Sequence, residues 1–100
     1  MKYKIRFTPD ARDDLEATKE YLSQFYPSTP KKFFTALRKR ITQLKDFPYL
    51  CPAYEDDADY RKLTVGDYLV FYMVNEDIKY VEVHRIFHAS RDIKQHLNSL

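Results

Sequence analysis

The 100-residue chain has one glycine, one cysteine and no tryptophan, and each scarcity removes a class of structure. A lone cysteine, Cys51, can neither close a disulfide within the chain nor supply a cysteine-based metal site, which favours a reducing compartment. No apolar run approaches the roughly 18 residues of a membrane helix, and MKYKIRFTPD lacks the apolar stretch of a signal peptide. The expectation is a cytoplasmic protein without membrane attachment. Seventeen Lys plus Arg against fifteen Asp plus Glu leave a net charge of only +2, so overall charge makes no case for nucleic acid. What the chain does have is nine Tyr and seven Phe within 44% hydrophobic content, enough for one core in one domain spanning residues 1–100.

Residues 2–8 alternate Lys2, Lys4 and Arg6 with Tyr3, Ile5 and Phe7, the period of a strand with one face buried. Thr8-Pro9 then reads as an N-cap followed by proline in the first turn, with Asp10, Asp13 and Asp14 where the helix dipole favours anions. Ala11, Leu15, Leu22 and Phe25 follow helical spacing until Tyr26-Pro27 ends the helix. Thr29-Pro30 repeats the device. It opens a second helix with a stripe of Phe33 or Phe34, Leu37, Ile41 and Leu44, and with Lys31, Lys32, Arg38, Lys39, Arg40 and Lys45 outward. The short connection predicts an antiparallel helical hairpin.

FPYLCPAYEDDAD, residues 47–59, reads as a surface loop. Strands are predicted over 60–65 and 68–75, joined by a Gly66-Asp67 hairpin turn, and over 79 to 87 or 88 after a turn at Asn75-Glu76-Asp77. Ser90 can cap a short last helix carrying Ile93, Leu97 and Leu100. The order is β-α-α-β-β-β and a short α. That grouping predicts an α+β fold in which the helical hairpin packs on one face of a small, mostly antiparallel four-stranded sheet.

This arrangement, with YRKLTVGDYLVFYMV and then VHRIFHASRDI, resembles the RelE/ParE superfamily of bacterial toxins from type II toxin-antitoxin systems. The resemblance covers nearly the whole chain and rests on Lys62-Leu63, Tyr68-x-Val70-x-Tyr72 and Arg91-Asp92. It implies a growth inhibitor neutralised by a cognate antitoxin whose C-terminal segment wraps it, and it implies no cofactor. RelE-like members cleave mRNA in the ribosome with basic residues and no metal; ParE-like members block DNA gyrase and are not nucleases. Lys62 falls where the nucleases carry a lysine and Arg91 where they carry an arginine. Leu69 stands where they place a phosphate-stabilising arginine, and Leu97 near an expected tyrosine.

Metal-free RNA cleavage needs a group to take the 2′-hydroxyl proton, one to protonate the leaving oxygen, and cations for the phosphate. His84 and His88 are candidates for the proton transfers, with Lys62, Arg85 and Arg91 as cations and Glu55 as a further base. Strand parity sets Val81, Val83 and Phe87 inward, and Glu82, His84, Ile86 and His88 on the open face beside Tyr60 and Lys62, with Arg85 inward or at an edge. Leu69, Phe71 and Met73 would then floor the open side. An apolar floor suits a protein partner better than a polyanion, so these three are the expected antitoxin contact. The i, i+4 spacing of His84 and His88 suits a metal only on a helix, so no metal is expected on this strand.

Plainer roles exist for each group. The histidines can be sheet-edge residues, Lys62 solvated, and Arg91 paired with Asp92, Glu82 or the C-terminus. Arg38, Lys39 and Arg40 form either a solvated helix face or a basic contact face for rRNA or an acidic partner. The departures at Leu69 and Leu97 put a gyrase poison ahead of a ribosome-dependent endoribonuclease, with a toxin fold that has lost toxicity as a third reading.

Overall fold

A computed structural model describes residues 2–25 and 28–90. Five strands and two helices follow in the order β1 (Lys4–Phe7), α1 (Pro9–Leu22), α2 (Thr29–Gln43), β2 (Ala53–Tyr54), β3 (Asp57–Val65), β4 (Tyr68–Asn75) and β5 (Tyr80–His88). The sheet order is β1-β5-β4-β3-β2. Only β1 lies parallel to its neighbour, pairing Lys4 with Tyr80 through Phe7 with Val83; the other pairings are antiparallel.

The expected four strands are therefore five. The additional strand, β2, lies in the segment read as loop, where Pro52 and the acids of 55–59 hide any alternation, and β3 begins three residues before Tyr60. A register shift between Ala53 and Tyr54 keeps the β2 pairing short and irregular.

Thr8 caps α1 as its sequence suggests, with extended backbone (φ −68°, ψ 162°) and an Oγ that accepts the Ala11 amide at 3.2 Å. The second helix differs slightly: Ser28 precedes it in helical conformation without a side-chain cap, and Thr29 is already its first residue. Gly66 turns the β3–β4 hairpin with φ +58°, a left-handed conformation costly to any residue with a Cβ. Tyr26-Pro27, the predicted end of α1, and the predicted last helix at Ile93, Leu97 and Leu100 lie outside the described residues.

Both helices cover the same sheet face. Ala11 and Leu22 of α1 and Leu37 and Ile41 of α2 meet Leu63, Val65, Tyr68, Val70, Tyr72, Val81, Val83 and Ile86. Tyr72, fully buried, donates its hydroxyl to the Pro48 carbonyl at 2.9 Å, and burial pushes its pKa well above the ordinary tyrosine range. This bond ties the chain after α2 to the middle of the sheet.

The face away from the helices has its own core of Tyr54, Tyr60, Leu69, Phe71 and Phe87, with Met73 packed at its side. Leu69, Phe71 and Met73 do share this face, as parity predicted. They do not floor an open surface, however: Leu69 is 6% exposed and Phe71 0%. Phe71 meets Tyr54 edge-on at 5.2 Å and Tyr60 at 6.4 Å, and it stacks on Phe87 at 5.4 Å. The cover is aromatic, and part of it comes from the segment read as loop.

Candidate functional site

The candidate residues converge on β5, and one irregularity decides where each points. Along the β4–β5 ladder Tyr72 pairs with Val83, but Phe71 pairs with Arg85, leaving His84 as an extra residue. Such a bulge shifts the alternation by one residue, so every side chain beyond it changes face. Ile86 thus joins the helix-side core and Phe87 the aromatic face, the reverse of the sequence expectation. Nothing in the composition of VEVHRIFH marks the insertion.

The bulge separates the two histidines. His84 stands edge-to-face with Tyr60 at 5.6 Å, on the aromatic face. His88 pairs with Tyr68 and meets its ring at 5.3 Å on the helix side. There His88 Nδ1 accepts the Ser90 amide at 3.1 Å, which leaves the ring proton on Nε2 in the neutral tautomer. The two cannot serve as an acid and a base to one substrate atom from opposite sides of a sheet.

His84 is also poorly placed to exchange protons. Its Nε2 is buried and has no hydrogen-bond partner among the described residues. Burial, with a smaller push from Arg6, lowers its pKa below the ordinary 6.5, against the opposite pull of Glu82 and Asp10. Burial thus favours the neutral ring.

Lys62 and Arg85 flank Phe71, one from each neighbouring strand, in a row across the aromatic face. At about 4.8 Å per strand their Cα atoms lie on the order of 10 Å apart. Lys62 Nζ rests 5.6 Å from the centre of the Tyr54 ring, a cation–π contact that holds it over the face. Arg85 is committed elsewhere: its Nε donates to Asp14 Oδ2 at 2.8 Å and its Nη2 to Oδ1 at 3.2 Å. Those bonds raise the pKa of the guanidinium further, burial notwithstanding.

Asp14 is the residue that sequence reading undervalued. It also accepts the Ile86 amide at 2.9 Å, so one carboxylate serves both the guanidinium and the backbone of β5. The reason is topological: β1 accompanies β5 only as far as Val83. Thr8 bridges the next step, its amide donating to the Val83 carbonyl at 3.0 Å and its hydroxyl to that of His84 at 3.1 Å. Asp14 then takes the place of the missing strand. An available signal was its position on the inward stripe of α1, three residues after buried Ala11 and four before buried Thr18. Between this part of α1 and β5 lies a cavity of about 270 Å³, lined among others by Asp14, Thr18, Tyr21, Tyr68 and His88.

The remaining candidates disperse. Glu55 is exposed in the β2–β3 turn. Arg38, Lys39 and Arg40 are exposed on α2 as expected, although Arg40 Nη1 donates to the Thr64 carbonyl at 3.0 Å and is tied to β3. Arg91 lies outside the described residues. Among the described residues no group of three or more His, Cys, Asp or Glu side chains could hold a metal ion, and no helix is long and apolar enough to cross a membrane.

A second missed cluster lies at the far end of the sheet. Glu76 Oε1 accepts the hydroxyls of Tyr3 and Tyr49, each at 2.6 Å, and Oε2 accepts Lys79 Nζ at 2.9 Å. The Tyr3 bond, followed by those of Tyr49 and Lys79, draws the Glu76 pKa down to about 2.

With this geometry in place, residues 5–93 match the family described as the ParE toxin of the type II toxin-antitoxin system parDE. The chain belongs to the ParE toxin family. Solved structures agree on the fold of this RelE/ParE superfamily toxin. A toxin-antitoxin complex, RelBE2 of Mycobacterium tuberculosis, contains a chain with 22% identity and a TM-score of 0.66, covering 88% of this chain and 99% of that one. The chromosomal ParDE system of P. aeruginosa gives 18% identity and a TM-score of 0.62 over 87% and 96%. The isolated E. coli RelE toxin gives 15% and 0.64 over 97% and 95%. No curated protein matches the chain in sequence.

Proposed function

We propose that this ParE-family toxin arrests growth in the cytoplasm by binding DNA gyrase, not by cutting RNA. The observation that carries the reading is the β5 bulge. It puts His84 and His88 on opposite faces, while Arg85 is held by Asp14 and the space between Lys62 and Arg85 is filled by Phe71. General acid–base cleavage of RNA requires groups of matched pKa within reach of one phosphate. Inhibition by binding requires only a surface.

Induction in growing cells tests this directly. A gyrase poison produces gyrase-trapped DNA breaks and an SOS response before protein synthesis falls. Early translation arrest with cut mRNAs and intact DNA would instead favour the ribonuclease, whose best support is that Lys62 and His84 share one face. In that case Lys62→Ala should abolish cutting. Normal growth with neither effect would mark a fold that has lost toxicity.

The proposed partner is a cognate antitoxin. Relatives of the same fold have been solved in complex with theirs, including E. coli RelE with an antitoxin peptide. The apolar contact is assigned to the aromatic face through Met73, which is only partly buried there; Leu69 and Phe71 support it from beneath. Replacing Met73 with Ser should weaken antitoxin binding at least tenfold, and unchanged affinity in the folded variant would overturn the assignment. Arg38 and Lys39 are the proposed basic contact. If they touch phosphate or an acidic partner, neutralising them lowers the salt dependence of target binding.

A further inference from the structure

The helix layer and the aromatic face meet at one residue. The backbone of His84 belongs to the helix layer, because its carbonyl is held by the hydroxyl of Thr8, the residue that caps α1. Its side chain belongs to the other face, where the ring stands at 83° to that of Tyr60. As the extra residue of the bulge, His84 also sets the point at which β5 exchanges faces.

A neutral imidazole is tolerated in this position, since only one ring nitrogen carries a proton. An imidazolium carries two. Its Nε2 must then carry an N–H, and that nitrogen is buried without an acceptor among the described residues. The charged groups facing the ring are Glu82 on its own strand, Asp10 on α1 and Arg6 on β1, and the titratable group facing it from β3 is Tyr60. Arg6 is bound to Glu82, which blunts the acid acting most strongly on the ring. Among the described residues no carboxylate is hydrogen-bonded to Nε2.

We infer that His84 is an acid-sensitive latch: its neutral ring keeps the β5 bulge joined to both layers, and uptake of a second proton loosens the joint. The direction of the pKa shift agrees. Because the folded chain holds this proton less tightly than the unfolded chain, unfolding takes up protons as pH falls below the ordinary 6.5. Stability attributable to His84 is complete above that value, declines as pH drops toward the folded pKa, and levels off below it. A histidine held by a salt bridge would have the opposite sign.

The test follows the histidine ring signals of the wild type by NMR from about pH 8 to about pH 5, the range in which imidazole titrates. Urea midpoints of the wild type and H84F are measured over the same range, together with exchange of the Ile86 amide normalised to its intrinsic rate. Phenylalanine keeps a ring against Tyr60 and removes the unpartnered nitrogen. The expected results are a His84 titration below 6.5, a midpoint that falls with acid more steeply in the wild type than in H84F, and Ile86 exchange that accelerates in acid only in the wild type. A His84 titration at or above 6.5, or parallel decline of the two midpoints, overturns the inference. Should H84F fail to fold, H84Q replaces it, and the wild-type titration alone still decides.

Discussion

The two faces of this sheet bury side chains by different means. On one, aliphatic residues of β3, β4 and β5 meet stripes from two helices, with Leu63, Val70, Val81 and Val83 fully buried. On the other, no helix among the described elements provides the cover; Tyr54 and Tyr60 fold over Phe71 from the neighbouring strands. Burial pushes the phenol pKa of both tyrosines up, with Asp56 adding to the effect at Tyr54. A face filled this way can bury area while keeping cations such as Lys62 at its rim. The contrast teaches that aromatic side chains of the strands themselves can close a sheet face.

The largest test of that contrast is truncation in each core. Phe71→Ala should cost about 3–5 kcal/mol and Leu63→Ala about 2–5 kcal/mol, as for other fully buried side chains. Both are read from urea unfolding. A cost below about 1 kcal/mol at Phe71 would mean that the aromatic face is a surface cluster and not a core.

A smaller effect is expected where the faces join. Asp14→Ala removes the partner of Arg85 and the acceptor of the Ile86 amide. Both side chains of the pair retain about 15% exposure, so water can compensate in part. The cost should be about 2 kcal/mol, below that of a fully buried pair. Asp14→Asn, which can still accept the amide, should lose less. Thr8→Ala removes both the α1 cap and the bond to the His84 carbonyl, and about 1 kcal/mol is expected. Equal losses for Asp14→Ala and Asp14→Asn would show that the ion pair alone matters.

Local rules made most of the helix-side core legible. Thr8-Pro9, the spacing of Leu37, Ile41 and Leu44, and the Gly66-Asp67 turn each have a short-range cause, and each is where periodicity placed it. The parity of β4 was equally readable. Parity failed beyond Val83, because the bulge at His84 answers to partners more than 70 residues away, Thr8 and Asp14. No period within β5 records them. The same holds for β2, whose two residues pair only because β3 lies beside them. The candidate site inherited this error: the faces of Ile86, Phe87 and His88 are the reverse of those that parity gave.

The smallest effect belongs to the Glu76 cluster, which joins the segment before β1, the chain after α2 and the β4–β5 turn through Tyr3, Tyr49 and Lys79. Its role is local to one end of the sheet, and the carboxylate is exposed enough that solvent screens it. The sign is nonetheless definite. A carboxyl drawn from 4.5 to about 2 in the folded state binds protons more weakly there than in the unfolded chain, so its contribution is complete above the unfolded value. It is lost as pH falls through the folded one. Other carboxylates titrate in the same window, which makes the difference between wild type and E76Q the useful quantity. That difference should be constant from about pH 8 to about pH 5 and shrink progressively below about pH 4.5. If it stays constant down to about pH 2, the phenol hydroxyls bind the acid as well as its anion, and Glu76 fastens this end of the sheet by geometry and not by charge.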